Sequence, residues 1–228
     1  MDLDKFNPRF LGAAFLIVAV TSILSMILFD SIVGTGSISD SMINISNNLM
    51  QIRISILIDV ICTIAIVFLG VFLYITLKKQ NKNIALVALG LYIVESALLG
   101  VSKISHHSLF NISQEFVKAG APDSSYFQTM ATLFLSDAKF TYSIHLLVFG
   151  LGALMFYYLF LKSKYVPLVF PAWGLIAASL LVIGTIIVLL FDLTIIVMFV
   201  PNMLFELAIG VWLMVKGFGS QGIKSKSG

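Results

Sequence analysis

Charged side chains are scarce in this sequence. Only 11% of its 228 residues are Asp, Glu, Lys or Arg, whereas 59% are hydrophobic, and the mean hydropathy is +1.04. A soluble domain of this size could not bury so much apolar surface, so most of the chain must be surrounded by lipid. The formal net charge is only +3, and the lysines lie in short clusters that give nucleic acid no basic surface to bind.

Cysteine and catalytic motifs are also nearly absent. Cys62 is the only cysteine, which excludes an intramolecular disulfide, paired-thiol redox chemistry and a metal site built from several cysteines. No G-x-S-x-G, H-x-x-x-H or H-E-x-x-H pattern occurs, and Gly150 and Gly152 favour close helix packing over phosphate binding. We therefore predict no catalytic residue and no cofactor.

Apolar runs dominate the chain instead. A bilayer core of about 30 Å requires roughly 20 helical residues. The first run is too long for a signal peptide and no cleavage site follows it, so we expect it to be retained. The pattern predicts an all-α integral membrane protein, a six-helix bundle forming one domain over residues 1–218, followed by a flexible cytoplasmic tail at 219–228. The predicted spans are residues 10–29, 52–77, 84–101, 140–161, 167–191 and 193–215, with a tight turn at Asp192.

Basic residues and aromatic rings predict the orientation. Lys and Arg concentrate on the cytoplasmic side of membrane proteins, and Tyr and Trp at headgroup level. With both termini in the cytoplasm, ten basic residues lie inside and four outside, the outer ones being Arg53, Lys103, Lys118 and Lys139. We predict that the protein lies in the cell membrane with both termini cytoplasmic. The rings expected near the inner surface are Tyr74, Tyr157, Tyr158, Tyr165, Trp173 and Trp212.

Two long connections, residues 30–51 and 102–139, lie on the predicted outer side. Loops of this length are usually functional or disordered, and these are too apolar for disorder. Residues 108–119 have an amphipathic pattern that Gly120, Ala121 and Pro122 should end, and Asp123 or Ser124 could cap the helix that follows. We expect short interfacial helices that cover the outer face.

Three segments of this sequence resemble a known family. They are FGLGALMFYYLFLKSKYVPLVFPAWGLIA, PNMLFELAIGVWLMVKGF and NNLMQIRISILIDVICTIAIVFLGVFLYITLKKQNKNIALVAL. Together they are similar to a prokaryotic multi-pass membrane family catalogued as domain of unknown function 4386. The resemblance covers most of the chain. It implies a helical bundle in a bacterial or archaeal membrane and leaves the activity open.

A few ionisable residues lie inside the predicted spans, where each charge costs about 2.5 to 3.5 kcal/mol on insertion scales and usually requires a partner. Helical spacing gives spans two, three, four and six a polar face each. Spans one and five have no ionisable residue, so we expect them to face lipid at the periphery. Arg53 should reach a carboxylate on another span, either Glu95 or Asp137. The predicted polar layer consists of Arg53, Asp59, Glu95, Asp137, His145 and Glu206.

This layer has three alternative interpretations. It could clasp the helices together in a structural, accessory or sensory protein without catalytic activity. It could instead line an outward-opening cavity that binds or transports a small polar or cationic solute or protons. A metal-dependent intramembrane enzyme acting on lipid is the third alternative, although the histidine spacing favours no metal site. The ligands of such a site, if one existed, would be His106, His145, Asp137 and Glu95. Apart from the lipid bilayer and a possible small ligand, no partner is indicated.

Overall fold

The chain folds into seven α-helices in the part that the computed structural model describes, residues 7–123, 125–191, 193 and 196–219. For Ile196 only the backbone is described. No strand occurs within these residues, which confirms the all-α prediction. The helices are α1 (Pro8–Val33), α2 (Ile38–Asn47), α3 (Leu49–Leu77), α4 (Lys82–Lys118), α5 (Ser125–Ser163), α6 (Val169–Phe191) and α7 (Val200–Val215), with a 3₁₀ turn at Ile196–Met198.

Five of these helices, α1, α3, α4, α5 and α6, are long and apolar enough to cross a membrane. The prediction of one continuous sixth helix over residues 193–215 is wrong, because α7 begins only at Val200 and has 16 residues. Pro201 lies in the first turn of α7. Proline lacks an N–H and its ring would clash with the preceding turn, so a helix tolerates it only at this end. The turn predicted at Asp192 lies outside the described residues.

The helices α4 and α5 are longer than a bilayer core is thick. They contain 37 and 39 residues and are therefore about 55 and 58 Å long, against a bilayer core of about 30 Å. The prediction of separate short helices in residues 102–139 is therefore wrong, because no helix breaker occurs before residue 119. The predicted break itself is confirmed: Gly120 and Ala121 have φ angles of 85° and 50°. Ser124, a proposed cap, lies outside the described residues.

The first connection does contain a short helix, α2, as predicted. Its N-terminus is a capping box, in which the Ser37 hydroxyl accepts a hydrogen bond from the Asp40 N–H, and the Asp40 carboxylate accepts one from the Ser37 N–H. The Ser37 hydroxyl also donates to this carboxylate, at 2.7 Å. These hydrogen bonds favour the ionised form and hold the pKa of Asp40 below its usual value.

The chain divides into two compact units. The first unit comprises residues 1–19, 64–96 and 143–228, and the second comprises residues 20–63 and 97–142. The second has its own apolar core, in which Met42 and Ile45 of α2 are buried with Leu109, Phe110 and Phe116 of α4. The single domain expected over residues 1–218 stays a prediction, and residues 220–228 of the expected tail lie outside the described part.

The two spans without ionisable residues are not more exposed than the others. In the most apolar part of each helix, the buried share is 39% for α1 and 33% for α6, against 33% for both α3 and α4. The expectation of peripheral, lipid-facing spans is therefore wrong. Small residues explain the packing, because they let helix backbones approach closely without any polar contact. A Cβ on Gly12 of α1 would lie 2.8 Å from the Gly210 carbonyl oxygen of α7.

Candidate functional site

The six residues of the predicted layer belong to two separate groups. Glu95, His145 and Glu206 lie in the first unit, and Arg53, Asp59 and Asp137 lie in the second. Each group has its own surroundings. The two groups differ above all in whether a buried carboxylate has a basic partner.

In the second unit, Asp59 of α3 forms an ion pair with Lys103 of α4. Lys103 Nζ lies 2.9 Å from Asp59 Oδ2, and the two side chains are only 12% and 8% exposed. The Thr63 hydroxyl donates a hydrogen bond to the Asp59 backbone carbonyl at 2.8 Å. Lysine and aspartate neutralise each other here, so the pair joins α3 to α4 without leaving a free charge in the membrane.

Sequence reasoning missed Lys103 because the third span was predicted to end at residue 101. Lys103 was assigned to an outer connection, whereas α4 continues to Lys118. A signal was available in the helical spacing. Ser96 and Leu99 are buried on α4, and Lys103 follows them on the same face.

Arg53 and Asp137 do not take part in a buried layer. Both side chains are exposed, and within the described residues Arg53 forms no ion pair. The expected contact of Arg53 with Glu95 or Asp137 is therefore wrong. The guanidinium carbon of Arg53 lies 5.6 Å from the centre of the Phe110 ring instead, which is a cation–π contact.

The conditional set of metal ligands is not assembled either. His106 stacks on Phe29 with ring centres 4.1 Å apart and planes 13° from parallel. Asp137 is exposed, and His145 and Glu95 lie in the other unit. Across the described part of the chain, no three His, Cys, Asp or Glu side chains are grouped as a metal site would require.

The first unit contains a cluster of buried polar side chains from three helices. We call Tyr92, Glu95, Tyr157, Asn202 and Glu206 the acidic cluster. They come from α4, α5 and α7, and none is more than 8% exposed. Glu95 and Glu206 are close enough to interact electrostatically with each other and with both tyrosine hydroxyls.

The polar atoms of this cluster have few partners. Three buried oxygens have no hydrogen-bond partner in the structure: Glu95 Oε2, Asn202 Oδ1 and Glu206 Oε1. The Tyr92 and Tyr157 hydroxyls interact with each other, and the Asn202 side chain interacts with the Glu206 carboxylate. Within the described residues, neither Glu95 nor Glu206 forms an ion pair. Buried polar groups are normally paired, and an unpaired carboxylate in an apolar interior is particularly costly. The arrangement therefore favours a bound proton or cation.

Glycines hold the two tyrosines in place. A Cβ on Gly152 would lie 2.9 Å from Tyr92 Cδ2, and one on Gly174 would lie 3.0 Å from Tyr157 Cδ2. Tyr92 also packs edge-on against Phe156, with ring centres 5.2 Å apart, and Tyr157 packs against Phe205 at 4.6 Å. The rings thus have little room to move. Tyr157, one of the rings expected near the inner membrane surface, has a fully buried side chain.

His145 lies beside the cluster and contacts its backbone. His145 Nδ1 is 3.2 Å from the Glu95 carbonyl oxygen, a distance at which the ring N–H donates to the carbonyl. The side chain is buried at 6% exposure. His145 therefore connects α5 to α4 at the residue that carries the carboxylate.

Comparisons with known proteins give one match. A family model described as "Domain of unknown function (DUF4386)" matches residues 10–217, which include almost all of α1 and the whole of α2 to α7. No curated protein and no solved structure matches the chain. The description of the family names no activity.

Proposed function

The chain belongs to the DUF4386 family of multi-pass membrane proteins, and we propose that it binds and transports a proton or small cation through the acidic cluster. Glu95 and Glu206 are the proposed binding residues. The observation that carries the proposal is the pair of buried carboxylates from α4 and α7, each with an oxygen that has no partner. A proton or cation bound between the two carboxylates relieves the repulsion between their negative charges.

The contrast with Asp59 supports this assignment. Asp59 is also buried and also lies in an apolar helix, but Lys103 neutralises it. Within the described residues, no lysine or arginine forms an ion pair with Glu95 or Glu206. Intramembrane carboxylates that are not neutralised by the protein are typical of proton and ion pathways. The clasp interpretation therefore fits Asp59, and the binding interpretation fits Glu95 and Glu206.

The carboxylates are closed off from the surface in this structure, at 2% exposure for Glu95 and 8% for Glu206. The outward-opening cavity that we expected from the sequence would therefore require a helix movement. Transporters commonly alternate between closed and open arrangements around a fixed site near the bilayer midplane. We assign this closed arrangement to one state of such a cycle.

The proposal includes six membrane crossings with both termini in the cytoplasm of a prokaryotic cell. The helix α7 is about 24 Å long, and the 3₁₀ turn before it adds about 6 Å, so that together they match a bilayer core of about 30 Å. Lys78 lies over the Tyr74 ring at 5.8 Å and Lys162 over the Tyr158 ring at 4.7 Å. Basic and aromatic side chains in this combination are typical of the cytoplasmic surface.

A proton-flux assay tests the function directly. The full chain is reconstituted into vesicles that contain a pH-sensitive dye, and a potassium diffusion potential is imposed. We expect the wild type and Asp137→Asn to carry protons well above protein-free vesicles, because Asp137 is exposed and outside the cluster. Glu95→Gln and Glu206→Gln should lower the flux at least about tenfold, since each removes a proton-binding group.

Two outcomes would contradict the proposal. One is a wild-type flux equal to that of protein-free vesicles, with no thermal stabilisation of the detergent-purified protein by sodium, potassium or tetramethylammonium. The other is a flux that Glu95→Gln and Glu206→Gln leave unchanged although both variants fold, as judged by size-exclusion chromatography.

A structural, accessory or sensory role is the second candidate, and the second unit favours it. Its apolar core includes α2 and the part of α4 beyond His107, which a transport site in the bilayer does not require. In that case the glutamine variants would alter stability without altering any flux. The flux assay thus separates the two candidates.

A further inference from the structure

The exposed faces of α3 and α4 change from apolar to polar at one level of the second unit. On α4, Ile104 is 65% exposed, while the next residues on that face are the exposed polar side chains of His107, Asn111 and Glu115. On α3, the exposed polar residues Gln51 and Arg53 precede the exposed apolar residues Ile54 and Leu57, although Met50, one turn before Arg53, is exposed as well. A lipid-facing surface must become polar where the hydrocarbon ends. Arg53 and His107 therefore lie at the headgroup level.

A surface depression lies at this level. Its volume is about 230 Å³, and it is lined by Arg53, Ile56, His107 and Phe110. Such a volume is below the roughly 300 to 1,000 Å³ of pockets that enclose a whole drug-sized ligand. It suits part of a larger molecule, such as a headgroup whose chains remain in the membrane.

Charge decides which headgroup fits. The Arg53 guanidinium carbon lies over the Phe110 ring, which is itself only 6% exposed, and no carboxylate neutralises Arg53 within the described residues. Guanidinium groups bind phosphate through N–H donors in the plane of the group, and a cation–π contact does not use up these donors. His107 adds a second nitrogen-bearing side chain, and its Nε2 lies 3.2 Å from the Asn111 amide nitrogen.

From this arrangement we propose that Arg53 and His107 bind the phosphate of an acidic phospholipid at the membrane surface. The acyl chains lie along the exposed apolar side chains of Ile54, Leu57 and Ile104, which adjoin the depression in sequence and on the same helix faces. An acidic headgroup compensates the unpaired charge of Arg53, whereas the quaternary ammonium of a choline headgroup is repelled by it. This site is independent of the acidic cluster and of the transport proposal.

Lipid titration of the detergent-purified full chain tests the site. The probes are phosphatidylglycerol, phosphatidylcholine and inorganic phosphate, and the readouts are the thermal midpoint and lipid-bound masses in native mass spectrometry. We expect phosphatidylglycerol to bind and stabilise the wild type, phosphatidylcholine to do so more weakly, and inorganic phosphate to have no effect at the same concentration. Arg53→Gln should weaken phosphatidylglycerol binding about fivefold, since one basic side chain near an anionic surface contributes about that factor.

Lys118→Gln is the matched control, because it removes the same charge from an exposed position of the second unit outside the depression. It should bind phosphatidylglycerol as the wild type does. Arg53→Lys keeps the charge but loses the planar donors, and we expect intermediate binding. Equal losses in Arg53→Gln and Lys118→Gln would overturn the proposal, as would equal binding of the two lipids. A phosphate effect as large as that of the lipid would replace the lipid site with a site for a free anion.

Discussion

Gly152 and Gly90 are glycines in the apolar parts of α5 and α4 with opposite surroundings. A Cβ on Gly152 would lie 2.9 Å from the Tyr92 ring, whereas a Cβ on Gly90 meets nothing within 4 Å. We expect Gly152→Ala to destabilise the protein by about 1 to 3 kcal/mol, because it overpacks a ring that Phe156 also confines. Thermal unfolding in detergent measures the effect.

Gly90→Ala controls for the change in helix propensity. It should be neutral or stabilise the protein by up to about 1 kcal/mol, since alanine favours the helix more than glycine does. If the two variants unfold alike, the packing of Gly152 against Tyr92 does not fix the acidic cluster. Proton flux of Gly152→Ala then adds a second readout, because displacement of Tyr92 should disturb its neighbour Glu95 as well.

At the level of single residues, the sequence indicated the acids and missed the groups around them. Glu95 and Glu206 stand out because a carboxylate in an apolar run is costly and usually requires a partner, and Asn202 lies one turn before Glu206. The location of Tyr92 and Tyr157 could not be predicted, because the sequence does not distinguish a tyrosine at a membrane surface from one in a protein core. Their burial and their contacts with Gly152 and Gly174 show that both lie in the protein core.

The helices α3 and α4 are joined by the Asp59–Lys103 pair, and this clasp can be measured. Asp59→Asn leaves a buried lysine without a partner, so it should destabilise the protein by about 3 kcal/mol or more. The double variant Asp59→Asn with Lys103→Gln removes both charges and should recover much of that loss. Unfolding of the two single variants and the double variant in detergent gives the coupling energy.

The exposed pair Glu115–Lys118 on α4 is the comparison for this cycle. Its side chains are 60% and 68% exposed, and such pairs contribute less than about 1 kcal/mol. A coupling energy at Asp59–Lys103 no larger than that at Glu115–Lys118 would contradict the clasp. The difference between the pairs depends on burial, because both have short distances of 2.9 and 2.8 Å.

Hydropathy did not predict the ends of α4 and α5. The third span was expected to end at residue 101, close to Ile104, where the exposed face of α4 turns polar, yet the helix continues to Lys118. The length of an apolar run reflects the thickness of the bilayer core and does not show where the helix ends. Backbone hydrogen bonding decides where a helix stops, and here it stops at Gly120 and Ala121, both with positive φ.

Across the whole molecule, the buried carboxylates differ in whether a basic side chain neutralises them. The second unit neutralises its buried carboxylate with Lys103, and the first leaves Glu95 and Glu206 without a basic partner in the described residues. The sequence alone could not separate these cases. Partner choice depends on which helix faces meet, and Asp59 and Lys103 come from different helices. That difference makes one carboxylate architectural and the other two functional in our proposal.

The number of crossings decides on which side of the membrane the chain ends, and cysteine labelling measures it. The starting variant is Cys62→Ala, since Cys62 is the only cysteine and is fully buried. Single cysteines then replace Lys79, Asp123 and Lys216, which lie beyond the ends of α3, α4 and α7. If α7 and its 3₁₀ turn cross the bilayer, an impermeant maleimide applied to intact cells should label Asp123→Cys and spare the other two. Labelling of Lys216→Cys together with Asp123→Cys would mean that α7 does not cross, and five crossings would then place Glu206 outside a transmembrane helix.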